Sequence, residues 1–158
     1  MLQIEVKYFL IKNKLNPIDG WKVSTHLDPM ELGKGNQNKP EKKEIASKYL
    51  ELLKQLGVTV KVNPIYGKID IVAEKDGQIH FIEVEGDTSK QPEQAFYSML
   101  GQLMLSMKSN DNKFQYGLAV PNSSKWKDQL TKLPEHLKES LRINFYFVSE
   151  EYSIVSER

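Results

Sequence analysis

Two runs rich in Ile, Val and Phe, one around 69–75 and one around 78–84, flank Asp76-Gly77. Asp-Gly between such runs is a strong local signal for a β-hairpin closed by a two-residue type I′ turn. The turn sets a register in which Lys75 faces Gln78, Asp70 faces Glu83 and Lys68 faces Glu85, because each step away from it removes one residue on either strand. Side chains alternate across a strand, so Lys68, Asp70, Val72 and Glu74 share a face with Ile79, Phe81, Glu83 and Glu85. Ile69, Ile71, Ala73, Ile82 and Val84 share the other face, which is nearly all apolar. The first face is apolar near the turn and carries three carboxylates and one ammonium at the far end. Such a cluster is costly if desolvated without a cation. The competing reading is a solvated sheet end with loose cross-strand pairs, which are worth little.

Other elements can be placed around this hairpin. Near the amino end, Leu2, Val6, Phe9 and Leu10 have helical spacing while Ile4, Val6, Tyr8 and Leu10 have strand spacing, and helix is the preferred reading. Asn16 to Gly20 is a turn cluster, 21–26 a short strand, and 28–39 a flexible surface loop with Gly33, Gly35, Asn36 and Asn38. A helix is expected over 40–56, opened by Asn38 with Glu41 three residues on and closed by Gly57, with Ala46, Tyr49, Leu50, Leu53 and Leu56 inward. A strand over 58–63 and a turn over 64–67 lead into the hairpin. Pro92 opens a helix over 92–108 that buries Ala95, Phe96, Met99, Leu100, Leu103 and Met107. Its other side carries a polar stripe, Gln91, Gln94, Ser98 and Gln102, beside Gly101. A strand over 116–120, a helix over 125–141 interrupted near Pro134, a strand over 143–148 and an edge strand over 152–155 complete the chain.

Composition narrows the class. The chain of 158 residues is 39% hydrophobic, enough for one domain. It divides into an N-terminal extension and loop (1–39), a core (40–121) and a C-terminal helix with edge strands (122–158). With 22 Lys+Arg against 21 Asp+Glu there is no global field to attract nucleic acid or membrane. The absence of Cys removes disulfides, thiolate nucleophiles and Cys-based zinc sites, and His26, His80 and His136 have no metal-ligand spacing. His80, opposite Ala73, reads as a packed histidine. No apolar run reaches the ~20 residues of a membrane span, and the amino end lacks a secretory pattern. A cytoplasmic protein without a membrane partner is the expectation.

The order of elements, with carboxylates near the end of the third strand, resembles the PD-(D/E)XK nuclease superfamily, which includes Holliday-junction resolvases and Mrr-like enzymes. The matching residues are Gly67-Lys68-Ile69-Asp70 and Phe81-Ile82-Glu83-Val84-Glu85, within a resemblance that covers about 40–121. The chain is also similar to small bacterial nuclease-like proteins with a Gly-Glu-Ile-Asp and Glu-Val-Lys pattern. The resemblance implies an α/β fold of restriction-endonuclease type, a three-layer core with a mixed central sheet flanked by helices.

It also implies a chemistry, the hydrolysis of DNA phosphodiester bonds by a restriction or repair endonuclease that depends on Mg²⁺ or Mn²⁺. Asp70, Glu83 and the Val84 carbonyl would hold the ion, with Glu44 as a candidate from the first confident helix, and Gln91, Gln94 and Gln102 would meet DNA. A hard cation held by a few oxygens activates water and neutralises charge on the phosphate. The departure is Glu85, where the superfamily usually has Lys. Lys68, placed opposite Glu85, is the candidate to replace that ammonium, which makes Lys68 and Glu85 catalytic candidates beside Asp70 and Glu83. The alternative is a nuclease-fold protein without catalysis that binds DNA or a protein partner. Homodimerisation is left open.

Overall fold

The structure, a computed structural model, describes residues 1–34, 40–87 and 91–156. Its organising element is a seven-stranded sheet in the order β2-β1-β3-β4-β5-β6-β7, formed by β1 (Lys22–Thr25), β2 (Thr59–Val60), β3 (Ile71–Lys75), β4 (Gln78–Val84), β5 (Phe114–Pro121), β6 (Ile143–Val148) and β7 (Ser153–Ser156). The sheet is mixed. β3 runs antiparallel to β1 and β4, β5 lies parallel to β4 and β6, β2 is parallel to β1, and β7 is antiparallel to β6.

Helices cover both faces of this sheet. α1 (Gln3–Lys14) and α2 (Pro40–Gln55) pack on the face formed by Ile71, Ala73, Ile82, Val84 and Ala119. α3 (Pro92–Ser106) and α4 (Ser124–Thr131) pack on the face of Val72, Phe81, Tyr116, Leu118 and Phe145. α5 (Glu135–Leu141) follows α4 after the break at Pro134, where helix geometry cannot continue through the ring. The result is a three-layer α/β fold. Strands buried on both faces need apolar residues at successive positions, which is why β5 reads Tyr116, Gly117, Leu118, Ala119, Val120 without polar interruption. Gly117 is required within it, since a Cβ there would lie 2.6 Å from the Tyr146 ring.

The hairpin has the expected turn and register. Asp76 (φ 51°) and Gly77 (φ 79°) both take positive φ, as a type I′ turn demands, and the ladder runs from Lys75↔Gln78 to Ile71↔Ile82. The alternation fails one residue beyond. Ile69 packs with Val72 and Phe81 rather than with Ile71, because the chain bends at Lys68–Asp70 and the Ile69 amide bonds to the Gly67 carbonyl at 3.0 Å. The cross-strand pairing of Lys68 with Glu85 therefore does not form, and β4 continues instead along β5, with the Glu85 amide bonded to the Ala119 carbonyl at 3.0 Å.

One strand changes in length, and the amino-terminal segment is the helix expected. The strand over 58–63 shortens to β2, because the Asn63 side chain accepts from the amides of Ile65 and Tyr66 and turns the chain early. The capping role of Asn38 lies outside the described residues. The amino-terminal segment is a helix inside the core: Ile4, Val6, Lys7, Tyr8, Phe9, Leu10 and Ile11 of α1 are all buried. A helix buried all round has no polar face and so no helical period in its hydrophobicity, which is why this segment matched both helix and strand.

The start of α1 reaches the end of β4 through Gly86. A Cβ at that position would meet the Gln3 nitrogen at 2.6 Å and the Leu2 carbonyl carbon at 2.9 Å, backbone atoms that cannot rotate away. Gly86→Ala should therefore lower stability by about 1–3 kcal/mol, the range for overpacking. Thermal unfolding checks this, and a midpoint unchanged within a degree would show that α1 is not held against β4.

Candidate functional site

The bend before β3, the end of β4 and the middle of α3 frame a cleft of about 340 Å³. Lys68, Asp70, Glu83, Val84, Glu85 and Gln102 all line it, so most of the residues singled out from the sequence meet in one place. Ser98 joins Gln102 on the α3 wall, and Gln3, His26 and Asp28 close the other side. Glu44 is not part of it: it is exposed on α2, whose packed side is Ala46, Tyr49 and Leu53. Gln91 and Gln94 are exposed and lie outside the cleft, because the turn of α3 carries Ser98 and Gln102 towards it and the earlier residues past it.

Asp70 reaches Glu83 by a route other than the ladder. Its backbone carbonyl is taken by β1, accepting from the His26 amide at 3.1 Å and the Thr25 hydroxyl at 2.6 Å. Its side chain turns instead towards β4, where Oδ2 accepts from the Val84 amide at 2.9 Å. The two carboxyls hydrogen-bond to one another. Burial, then the charge of Asp70 and that hydrogen bond, push the Glu83 carboxyl up to about 9, so Glu83 holds a proton at neutrality. Glu85 is also raised, first by burial, against the Gly86 amide that donates to its Oε1 at 3.0 Å.

α1 brings two nitrogen donors, one helical turn apart, to this acidic end. The Gln3 carboxamide donates to the Val84 carbonyl at 2.8 Å and lies 3.4 and 3.5 Å from the Asp70 oxygens. The Lys7 ammonium, fully buried, lies 2.7 Å from Asp70 Oδ1 and 2.8 Å from Glu31 Oε1, and donates to the His26 carbonyl at 2.7 Å. Burial works to lower the Lys7 ammonium, but Asp70 and Glu31 more than offset it and the net shift is upward. Burial raises Glu31 to about 7 despite the opposing pull of Lys7. Lys68, by contrast, is exposed in its bend, so the buried ammonium of the site comes from α1 and not from the hairpin.

Sequence reasoning missed Gln3, Lys7 and Glu31. Lys7 was detectable as a lysine inside the apolar run Ile4 to Ile11, since a lysine on a buried helix needs an acidic partner. Asp28-Pro29-Met30-Glu31 has the spacing of a capping box, and its two side chains do exchange bonds, the Glu31 amide to Asp28 Oδ1 at 2.8 Å and the Asp28 amide to Glu31 Oε2 at 3.0 Å. Gln3 had no local signal.

The donor set suits a hard divalent cation. Asp70, Glu83 and the Val84 carbonyl are oxygen donors at one wall of the cleft. Among the described residues no three His, Asp or Glu side chains form a metal-binding group. The same residues show no helix long and apolar enough to cross a membrane. No family model, curated protein or solved structure matches the chain.

The raised Glu83 carboxyl gives a signed pH dependence. A carboxyl whose folded pKa lies above its unfolded value contributes stability that is complete below the unfolded value and lost as pH rises through the folded one. With Glu83 at about 9, the protein loses stability across the range from about pH 4.5 to 9. Glu83→Gln removes that loss, so without added metal its melting point should exceed the parent's by a margin that grows by several degrees from pH 5 to pH 8.5, one kcal/mol being worth about 2–4 °C at this size. Melting curves at the two pH values test it, and a constant margin would show that Glu83 is ionised throughout.

Proposed function

We propose that the chain is a divalent-metal-dependent DNA endonuclease of the PD-(D/E)XK type, hydrolysing phosphodiester bonds in a restriction or repair setting. The observation that carries the reading is the meeting of Asp70, Glu83 and the Val84 carbonyl in one cleft, from the bend before β3 and the end of β4, the two segments that carry the resemblance. Asp70 and Glu83 would hold Mg²⁺ or Mn²⁺, which when bound supplies an activated water and charge neutralisation at the phosphate. Glu85, half-buried at the same wall, would be the carboxyl that takes up a proton in the cleft. The exposed Lys68 and the carboxamide of Gln102 line the cleft where a phosphate backbone would enter.

A second reading has its own observation. Each oxygen assigned to the ion on Asp70 and Val84 already has a nitrogen of the chain near it, Lys7, Gln3 or the Val84 amide. This favours a nuclease-fold protein that binds DNA or a protein partner without cleaving.

Magnesium calorimetry with a plasmid-cleavage assay separates the two. On the first reading the wild type binds Mg²⁺ and nicks or cuts DNA, and Asp70→Asn or Glu83→Gln lowers cleavage at least 100-fold while both variants stay folded. Parental cleavage in either variant would reject these residues as ligands, and metal binding without cleavage would favour the second reading. At fixed salt, Gln102→Ala should weaken DNA binding several-fold and Gln94→Ala much less, since only Gln102 lines the cleft. Equal effects in a filter-binding titration would place DNA elsewhere on α3.

A further inference from the structure

The surroundings of the Lys7 ammonium are those of a metal ion. Four oxygens lie 2.7–2.9 Å from Nζ: Asp70 Oδ1, Glu31 Oε1, Glu31 Oε2 and the His26 carbonyl. An ammonium has three protons to donate. The Lys7 ammonium donates to the His26 carbonyl and to Glu31 Oε2, and Glu31 Oε1, buried and 2.8 Å from the nitrogen, is left without a hydrogen bond. A spherical cation would engage all four. The set combines one carboxylate presenting both oxygens, one carboxylate oxygen and one backbone carbonyl, the donor types that calcium takes at 2.3–2.6 Å, a few tenths of an ångström inside the present distances. Glu31 is pinned by its exchange of bonds with Asp28, and the His26 carbonyl by the strand pairing of its own amide with Asp70, so the cage does not depend on Lys7 for its outline.

We infer that Lys7 is a built-in cation standing in the place of a divalent ion, and that Asp70 bridges this buried position and the cleft. Removing the ammonium opens one further hard-cation site formed by Asp70, Glu31 and the His26 carbonyl. The intact protein, with that position filled from its own chain, takes a single divalent ion. The count of one in the intact protein rests on the function proposed above, whereas the gain of one on removing Lys7 does not.

Calorimetric titration with Ca²⁺, and separately with Mn²⁺, reads the number of ions per chain in the wild type, in Lys7→Ala and in Lys7→Ala combined with Glu31→Gln. One ion in the wild type, two in Lys7→Ala and one in the double variant is the expected result. None in the wild type and one in Lys7→Ala would overturn the metal-dependent reading and still support the built-in cation. Equal counts in wild type and Lys7→Ala overturn the built-in cation, whichever the count, and so does a gain that persists in the double variant, since the site would then not be made by Glu31. Lys7→Ala leaves Glu31 buried without its partner, and it is therefore also followed by circular dichroism. Folding that appears only on adding millimolar Ca²⁺ supports the inference. A Lys7→Ala chain that stays unfolded in Ca²⁺ overturns it, whether or not the double variant folds, because the ammonium would then serve the fold in a way no ion can replace.

Discussion

A buried ammonium must find oxygens, and the placement of Lys7 follows from that constraint. It has no exposed surface, and it draws its partners from three separate stretches: the bend at Asp70, the turn at Glu31 and the end of β1 at His26. Removing one partner of such a pair typically costs about 3–5 kcal/mol, because the other charge stays buried alone. The contacts that satisfy Lys7 thus tie α1 to the bend at Asp70, to the turn at Glu31 and to the end of β1 at His26. Apolar packing decides that α1 lies in the core.

The acidic end of the hairpin is shaped by a change of partners. β4 pairs antiparallel with β3 as far as Ile82, and its continuation follows β5 alone. β3, freed from the ladder before Ile71, bends, and Asp70 uses its backbone on β1 and its carboxylate on β4. This division of labour brings two carboxyls into hydrogen-bonding contact in a place where solvent is scarce, and it explains why Glu83 keeps its proton. Burial first, and the charge of Asp70 second, disfavour ionisation of Glu83.

On the proposed reading, the carboxyls and the ammonium groups around the cleft have separate parts. Asp70 and Glu83 line the cleft, position 85 is itself a Glu, and the buried ammonium of Lys7 stands behind Asp70, out of reach of solvent. Lys68, the replacement suggested by the hairpin register, faces solvent at the mouth of the cleft. An ammonium at the mouth meets an incoming phosphate, and one behind Asp70 acts on the carboxylate itself. The proposed function accordingly gives Lys68 to DNA and Lys7 to the site's charge balance.

Local chemistry was legible in the sequence wherever neighbours in the chain decide the outcome. Asp76-Gly77 specified a turn that only small or polar residues make easily, the turn specified the register, and the register brought Asp70 and Glu83 to the same end of the hairpin. The stripes of α2 and α3, the break at Pro134 and the strand at 143–148 were legible for the same reason, since each rests on a period or a steric rule spanning a few residues. Where β3 stops was not, because the bend at Lys68–Asp70 is made by hydrogen bonds to β1 and β4, from residues far away in the chain. Nor was the role of α1: a helix enclosed on all sides loses the polar face that would announce it, and the partners of Lys7 and Gln3 lie 19 to 81 residues away. Sequence alone determined that carboxylates would gather at one end of a hairpin. Only the tertiary structure decided which cation meets them, because charge is balanced through space and not along the chain.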